Sequence, residues 1–100
     1  MGIVKVDKKK SVQLFFIHAK NCSQCAHALA IINQSIAKSG EDCQLFQFDS
    51  KSKEAINIGV NHGVDKVPGL VVGAGVRVFN DSDIYFDTKI IEAIKKAANE

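Results

Sequence analysis

Much that would mark a specialised class is missing from this sequence. No apolar run approaches the ~20 residues that a membrane-spanning helix needs, so no membrane partner is read. The opening MGIVKVDKKKS carries charge but no apolar stretch of the kind a secretory leader has. Val6 stands where the N-myristoylation pattern calls for Ser or Thr. Neither sign of charge dominates: 13 basic side chains face 11 acidic ones, a net +2, which gives no electrostatic case for nucleic acid. The one basic cluster, Lys8-Lys9-Lys10, reads as a solvated turn rather than a phosphate patch. Cysteines number three, whereas a small domain stapled by disulfides usually carries four, six or eight. There is no repeat, low-complexity tract or linker. A cytoplasmic location is expected, and there a close cysteine pair is more often catalytic or metal-binding than structural.

What is present suits a single domain over residues 1–100, 46% hydrophobic and able to form a core without staples. Ser11–Ala19 (SVQLFFIHA) is a compact β-forming run, apolar enough to be buried on both faces. From Cys25 the period changes to helical: Cys25, Ala28, Leu29, Ile32 and Ile36 share a face, and Gly40 fits its stop. Cys43–Asp49 (CQLFQFD) reads as an interior strand, with Phe46 and Phe48 in the core and Cys43 packed as a small hydrophobe. Ser50 or Ser52 can cap a helix running to about His62, with Gly63 ending it. Two β-rich runs then flank Gly73-Ala74-Gly75 as an antiparallel hairpin. A terminal amphipathic helix shows Ile90, Ile91, Ile94, Ala97 and Ala98 on one stripe. The order is β-α-β-α-β-β-α, an α/β fold whose first β-α-β is parallel. GIVKV at the start is a candidate extra strand.

The chemistry lies in NCSQC, residues 21–25. Cys22 falls at the junction of the first strand and first helix, and Cys25 in the helix's first turn. Unpaired N–H groups and the positive end of the helix dipole favour a thiolate there, below the free thiol value of about 8.5. Cys22, at the edge, would attack a disulfide. Cys25, further in, would resolve the mixed disulfide. His18, at the end of the first strand, could lower the Cys22 pKa when charged, and Lys20 could also stabilise its thiolate. A metal site is the alternative for the pair. It needs four ligands, and His27 with His18 or Cys43 would have to complete it, though no spacing demands that. The lone proline, in VPG, belongs at a strand start or in a turn.

Three features in this order, CSQC after the first strand, HGVDKVPG before the third, and a hairpin followed by a final helix, resemble the thioredoxin/glutaredoxin superfamily. The resemblance covers nearly the whole chain. It implies a thioredoxin-like fold with a mixed central sheet flanked by helices. It also implies a cis Pro68 packed near the cysteines, with Val67 offering its backbone to an extended peptide or to glutathione. The compact length looks more like glutaredoxins and small redox proteins than full-length thioredoxin. This chain departs from the family at several positions. The spacer is Ser23-Gln24, Asn21 replaces a Trp, and Phe16 replaces a buried Asp that aids proton transfer. Ala19 stands at the glutaredoxin Lys position, and the Gly-Gly pair of the glutathione site is absent. NDSD (80–83) is only loosely similar to the Ser/Thr-Asp that comes after that pair.

The expectation is a thiol–disulfide oxidoreductase with Cys22 and Cys25 as the redox pair. Val67, Pro68, Ser23 and Gln24 would face the substrate, and His18 and Lys20 would tune the thiol. No organic cofactor is called for. The expected partners are disulfide-containing proteins and a reductase or low-molecular-weight thiol as electron source, with the protein acting as a monomer. A non-catalytic peptide-binding module on the same scaffold is the rival.

Overall fold

A computed structural model describes residues 11–73, 75 and 77–99. The candidate strand GIVKV and the Lys8–Lys10 cluster lie outside them, as does Ala74 of the hairpin turn.

The first strand, β1 (Val12–His18), is central. It pairs in parallel with β2 (Cys43–Asp49) and antiparallel with β3 (Gly69–Val72), which pairs antiparallel with β4 (Arg77–Asn80). The sheet is therefore mixed, in the order β2-β1-β3-β4. Among the described residues three helices accompany it: α1 (Ser23–Ser39), α2 (Lys53–His62) and α3 (Asp87–Ala98). A short 3-10 turn over Asp81–Tyr85, not expected from the sequence, joins β4 to α3.

Alternation along β1 decides the layering. Val12, Leu14 and Phe16 point to one face, where Cys25, Ala28 and Ile32 of α1 and Ile90 and Ile94 of α3 meet them in one cluster. Leu14, Ile32, Leu70, Phe79, Ile84, Ile90 and Ile94 are wholly buried there. Each such side chain contributes about 1.5–3 kcal/mol on burial. The opposite face is looser. Gln13 is exposed and Phe15 only half-buried, so β1 is not buried on both faces as expected.

The same asymmetry corrects the reading of β2. Among the described residues it is an edge strand, not an interior one. Phe46 is 38% exposed and Phe48 half-buried. Both stack on Phe15, with ring centroids 5.6 and 6.3 Å apart, on the face that α1 and α3 do not cover. Cys43 is half-buried and packs against the core cluster. Burial pushes its thiol above the ordinary value; a Ser39 hydrogen bond opposes this, and Asp42 and Glu41 add to it.

The helix ends follow the expected chemistry. Gly40 and Gly63 close α1 and α2 in the left-handed region, with φ of 71° and 75°. Ser52, rather than Ser50, caps α2. The buried stripe of α1 runs Cys25, Ala28, Ile32, Ser35 and Ser39, while Leu29 and Ile36 flank it half-buried. Ser35 tolerates burial because its hydroxyl donates to the Ile31 carbonyl at 2.7 Å. In α3, Ala93 is buried, whereas Ile91 and Ala97 are half-buried. Lys38 in the last turn of α1 pairs with Asp87 in the first turn of α3 at 3.0 Å. That partner holds the Asp87 carboxyl below its usual value.

Candidate active site

The site forms where β1 hands over to α1. Asn21 makes the turn with φ 56°, in the left-handed region that Asn enters more readily than most residues. Cys22 comes next, as the N-cap of α1 in extended conformation. Its sulfur accepts the backbone N–H of Cys25 at 3.0 Å, the geometry in which Ser or Asp usually caps a helix. The first turn of α1 holds no acidic residue. The backbone N–H groups and the dipole therefore face Cys22 uncompensated.

Cys22 and Cys25 are joined as a disulfide, with Cα atoms 5.2 Å apart. Cys22 is half-buried and Cys25 is 5% exposed. Of the two sulfurs the first is thus the one that an incoming group can reach. Ser23 and Gln24, the first two residues of α1, are exposed beside it.

Behind the pair lies an open pocket of about 240 Å³. Its wall includes Cys22, Cys25, His18, Phe16, Leu29 and Gln47. Phe16 is 1% exposed, so the interior wall beside Cys25 is a phenyl ring with no carboxylate. His18 is half-buried next to it, with the two rings 5.8 Å apart. Gln47 arrives through strand pairing, since the parallel register sets it opposite Phe16. Sequence reasoning did not single out Gln47. Register is the signal that finds it, because partners in a parallel ladder share a face.

Lys20 is elsewhere. It lines a neighbouring pocket of about 650 Å³ with Asn21, Asp49, Ser50, Lys51 and Ser52, and it is not part of the cysteine pocket. His27 is exposed and tilts over Tyr85, with centroids 5.4 Å apart. Cys43 begins β2 while Asp49, at the other end, is the register partner of His18. Six strand residues, roughly 20 Å, therefore separate Cys43 from the pair's end of the sheet. Among the described residues no three His, Cys, Asp or Glu side chains converge in a way that could hold a metal ion. Nor is any described helix long and apolar enough to cross a membrane.

The Val67–Pro68 peptide is cis, and Pro68 is buried. Ile17 pairs with Gly69, so Pro68 enters β3 alongside the end of β1 that carries His18 and leads into the cysteines. Val67 is half-buried and borders a groove of about 420 Å³ whose other wall is α2, with Ala55, Ile56, Gly59 and Val60. Val64 holds this loop against the helix. A side chain at Gly69 would collide with the Val64 side chain, and one at Gly59 would meet the Val64 carbonyl at 2.8 Å.

The sequence matches no protein-family model and no curated protein. Solved structures do match. Thioredoxin-2 of the malaria parasite, described as a component of its protein secretion machinery, is 19% identical with a TM-score of 0.60, over 92% of this chain and 88% of that one. Mitochondrial thioredoxin 3 of Saccharomyces cerevisiae in its oxidised form is 18% identical with a TM-score of 0.59, over 89% and 81%. A chloroplastic thioredoxin z is 13% identical with a TM-score of 0.61, over 90% and 80%. At these identities the likeness is one of fold, and it agrees with the mixed sheet and flanking helices described above.

Proposed function

We propose that this chain, which has the thioredoxin fold, is a thiol–disulfide oxidoreductase acting on disulfides of protein substrates. The observation that carries the reading is the Cys22 sulfur at the N-cap of α1, holding the Cys25 N–H and bonded to Cys25. In the reduced protein that N–H and the dipole stabilise a Cys22 thiolate, which is the nucleophile in exchange. The thiolate attacks one sulfur of the substrate disulfide and expels the other as a thiolate. Cys25 then attacks the Cys22 sulfur, restores the internal disulfide and releases the second substrate thiol. Two electrons pass from the pair to the substrate, and a reductase or low-molecular-weight thiol returns them.

Ser23 and Gln24 border the attacking sulfur, and Val67 with Pro68 forms the backbone edge along which an extended substrate lies. Lys20 adds positive charge near the loop without entering the cysteine pocket. The site calls for no cofactor, and the protein is proposed to work as a cytoplasmic monomer.

A redox titration in thiol/disulfide buffers, with free thiols alkylated and counted by mass, tests the reading. The expected result is one reversible two-thiol transition that maps to Cys22 and Cys25. A midpoint near about −270 mV makes the protein a reductant and one near about −120 mV an oxidant. A pair that never cycles refutes the proposal.

A further inference from the structure

The proposed exchange leaves one proton without an assigned acceptor. Cys25 must lose its thiol proton before it can attack Cys22, yet it is 5% exposed and the wall beside it is Phe16. Among the described residues, and apart from the two cysteines, His18 is the single titratable side chain that lines their pocket. We infer that His18 is the general base of the resolving step, an assignment that rests on the oxidoreductase reading.

The step balances without a further reagent. The imidazole takes the proton from the Cys25 thiol. The Cys25 electron pair forms the bond to the Cys22 sulfur as the Cys22–substrate bond breaks. The imidazolium gives its proton to the departing substrate thiolate. An imidazole can accept a proton and then donate it, which suits one group to both halves of this transfer.

The surroundings of His18 fit the task. Its register partner on β2 is Asp49, on the same face of the sheet; the Asp49 carboxylate accepts the Lys51 backbone N–H at 2.9 Å and borders the adjoining pocket, so it is the nearest acidic residue by register. From β1's other neighbour, β3 (Gly69–Val72), comes no titratable side chain. α1 presents Cys25, with Cys22 at its N-cap, and no acidic residue in its first turn, while its His27 lies against Tyr85. Lys20 and Lys51 belong to the adjoining pocket and bring positive charge from the loops. Gln47, across from Phe16, is polar but neutral.

The test is stopped-flow reaction of the reduced full chain with an aromatic disulfide, 5,5′-dithiobis(2-nitrobenzoate), whose released thiolate is coloured. Attack by Cys22 gives a phase that depends on reagent concentration, and resolution by Cys25 gives one that does not. In His18→Gln the second phase should slow about 100-fold, the lower end of what general acid–base catalysis contributes, while the first changes less than about twofold. In the wild type the second phase should rise with pH as imidazole loses its proton, and that limb should be lost in His18→Gln. An unchanged second phase overturns the inference. So does equal slowing of both phases, which places His18 at Cys22 instead. If His18→Gln does not fold, a wild-type second phase flat through the imidazole range overturns it alone. Release of only one coloured thiolate per chain, with Cys25 never displacing the second, refutes the oxidoreductase reading itself, so the two failures are distinguishable.

Discussion

Two helix N-termini at one end of this molecule are capped in the same way by different elements. At α1 the Cys22 sulfur accepts the N–H three residues on at 3.0 Å; at α2 the Ser52 hydroxyl accepts the N–H three residues on at 3.1 Å. Both caps sit in extended backbone. They differ in what the first turn supplies. α2 carries Glu54 there, whose carboxylate complements the dipole. α1 carries no acidic residue, so its dipole is left for whatever charge the cap itself can bear. A serine cap stays neutral and stabilises the helix. A cysteine cap can ionise, and the same geometry then serves chemistry. The comparison separates capping as structure from capping as activation.

Exchanging the elements gives the largest effect. Cys22→Ser keeps a capping atom at α1 but removes the proposed nucleophile, so disulfide reduction in an insulin turbidity assay should fall to background while the fold persists by circular dichroism. Cys25→Ser should instead accumulate a mixed disulfide with substrate, seen as a mass adduct on Cys22. Full activity in both variants would show that the α1 cap plays only the structural part. The opposite end of the comparison is Ser52→Ala, which should cost about 1 kcal/mol in urea unfolding and leave the alkylation rate of Cys22 unaltered. A change in Cys22 reactivity there would mean that the two caps are coupled. The smallest effect tests the missing carboxylate. Gln24→Glu gives α1 the charge that α2 already has and should raise the Cys22 pKa by about half a unit, or ~0.7 kcal/mol. The pH profile of iodoacetamide alkylation in a Cys25→Ser background reads it, and a lowered pKa would contradict the dipole argument.

The caps are among the most legible parts of the sequence because their signals are local. Cys22 before a helical period, Gly40 and Gly63 after one, and Ser52 ahead of α2 each act within a turn of the backbone they govern. The helical face of α1 can be read for the same reason. The neighbours of each element cannot. CQLFQFD has the apolar content of an interior strand, yet it runs along the described edge of the sheet, and nothing within a strand's own residues states its neighbours. Apolar content alone therefore assigns Phe46 and Phe48 to a core that lies on the sheet's other face. The pocket behind the cysteines shows the same limit. His18 is legible as near Cys22 by chain proximity, whereas Gln47 joins it only through the β1–β2 register. Lys20, adjacent in sequence, turns into a different pocket, because the Asn21 turn separates it from the sulfurs. The 3-10 turn over Asp81–Tyr85 has no periodic signature long enough to detect.

The wedge of Val64 between Gly59 and Gly69 has a further consequence. Both contacts are close approaches that any larger residue would prevent, so the segment leading to Val67 is held on one side by a helix and on the other by the start of β3. Its disorder is removed when the chain folds rather than when a partner arrives. An edge ordered in advance leaves less conformational entropy to lose on association, so a short extended segment could engage it with few contacts and still leave quickly. Under the proposed exchange, in which each product leaves before the next disulfide is taken, a rigid edge with a modest contact area would favour turnover over grip.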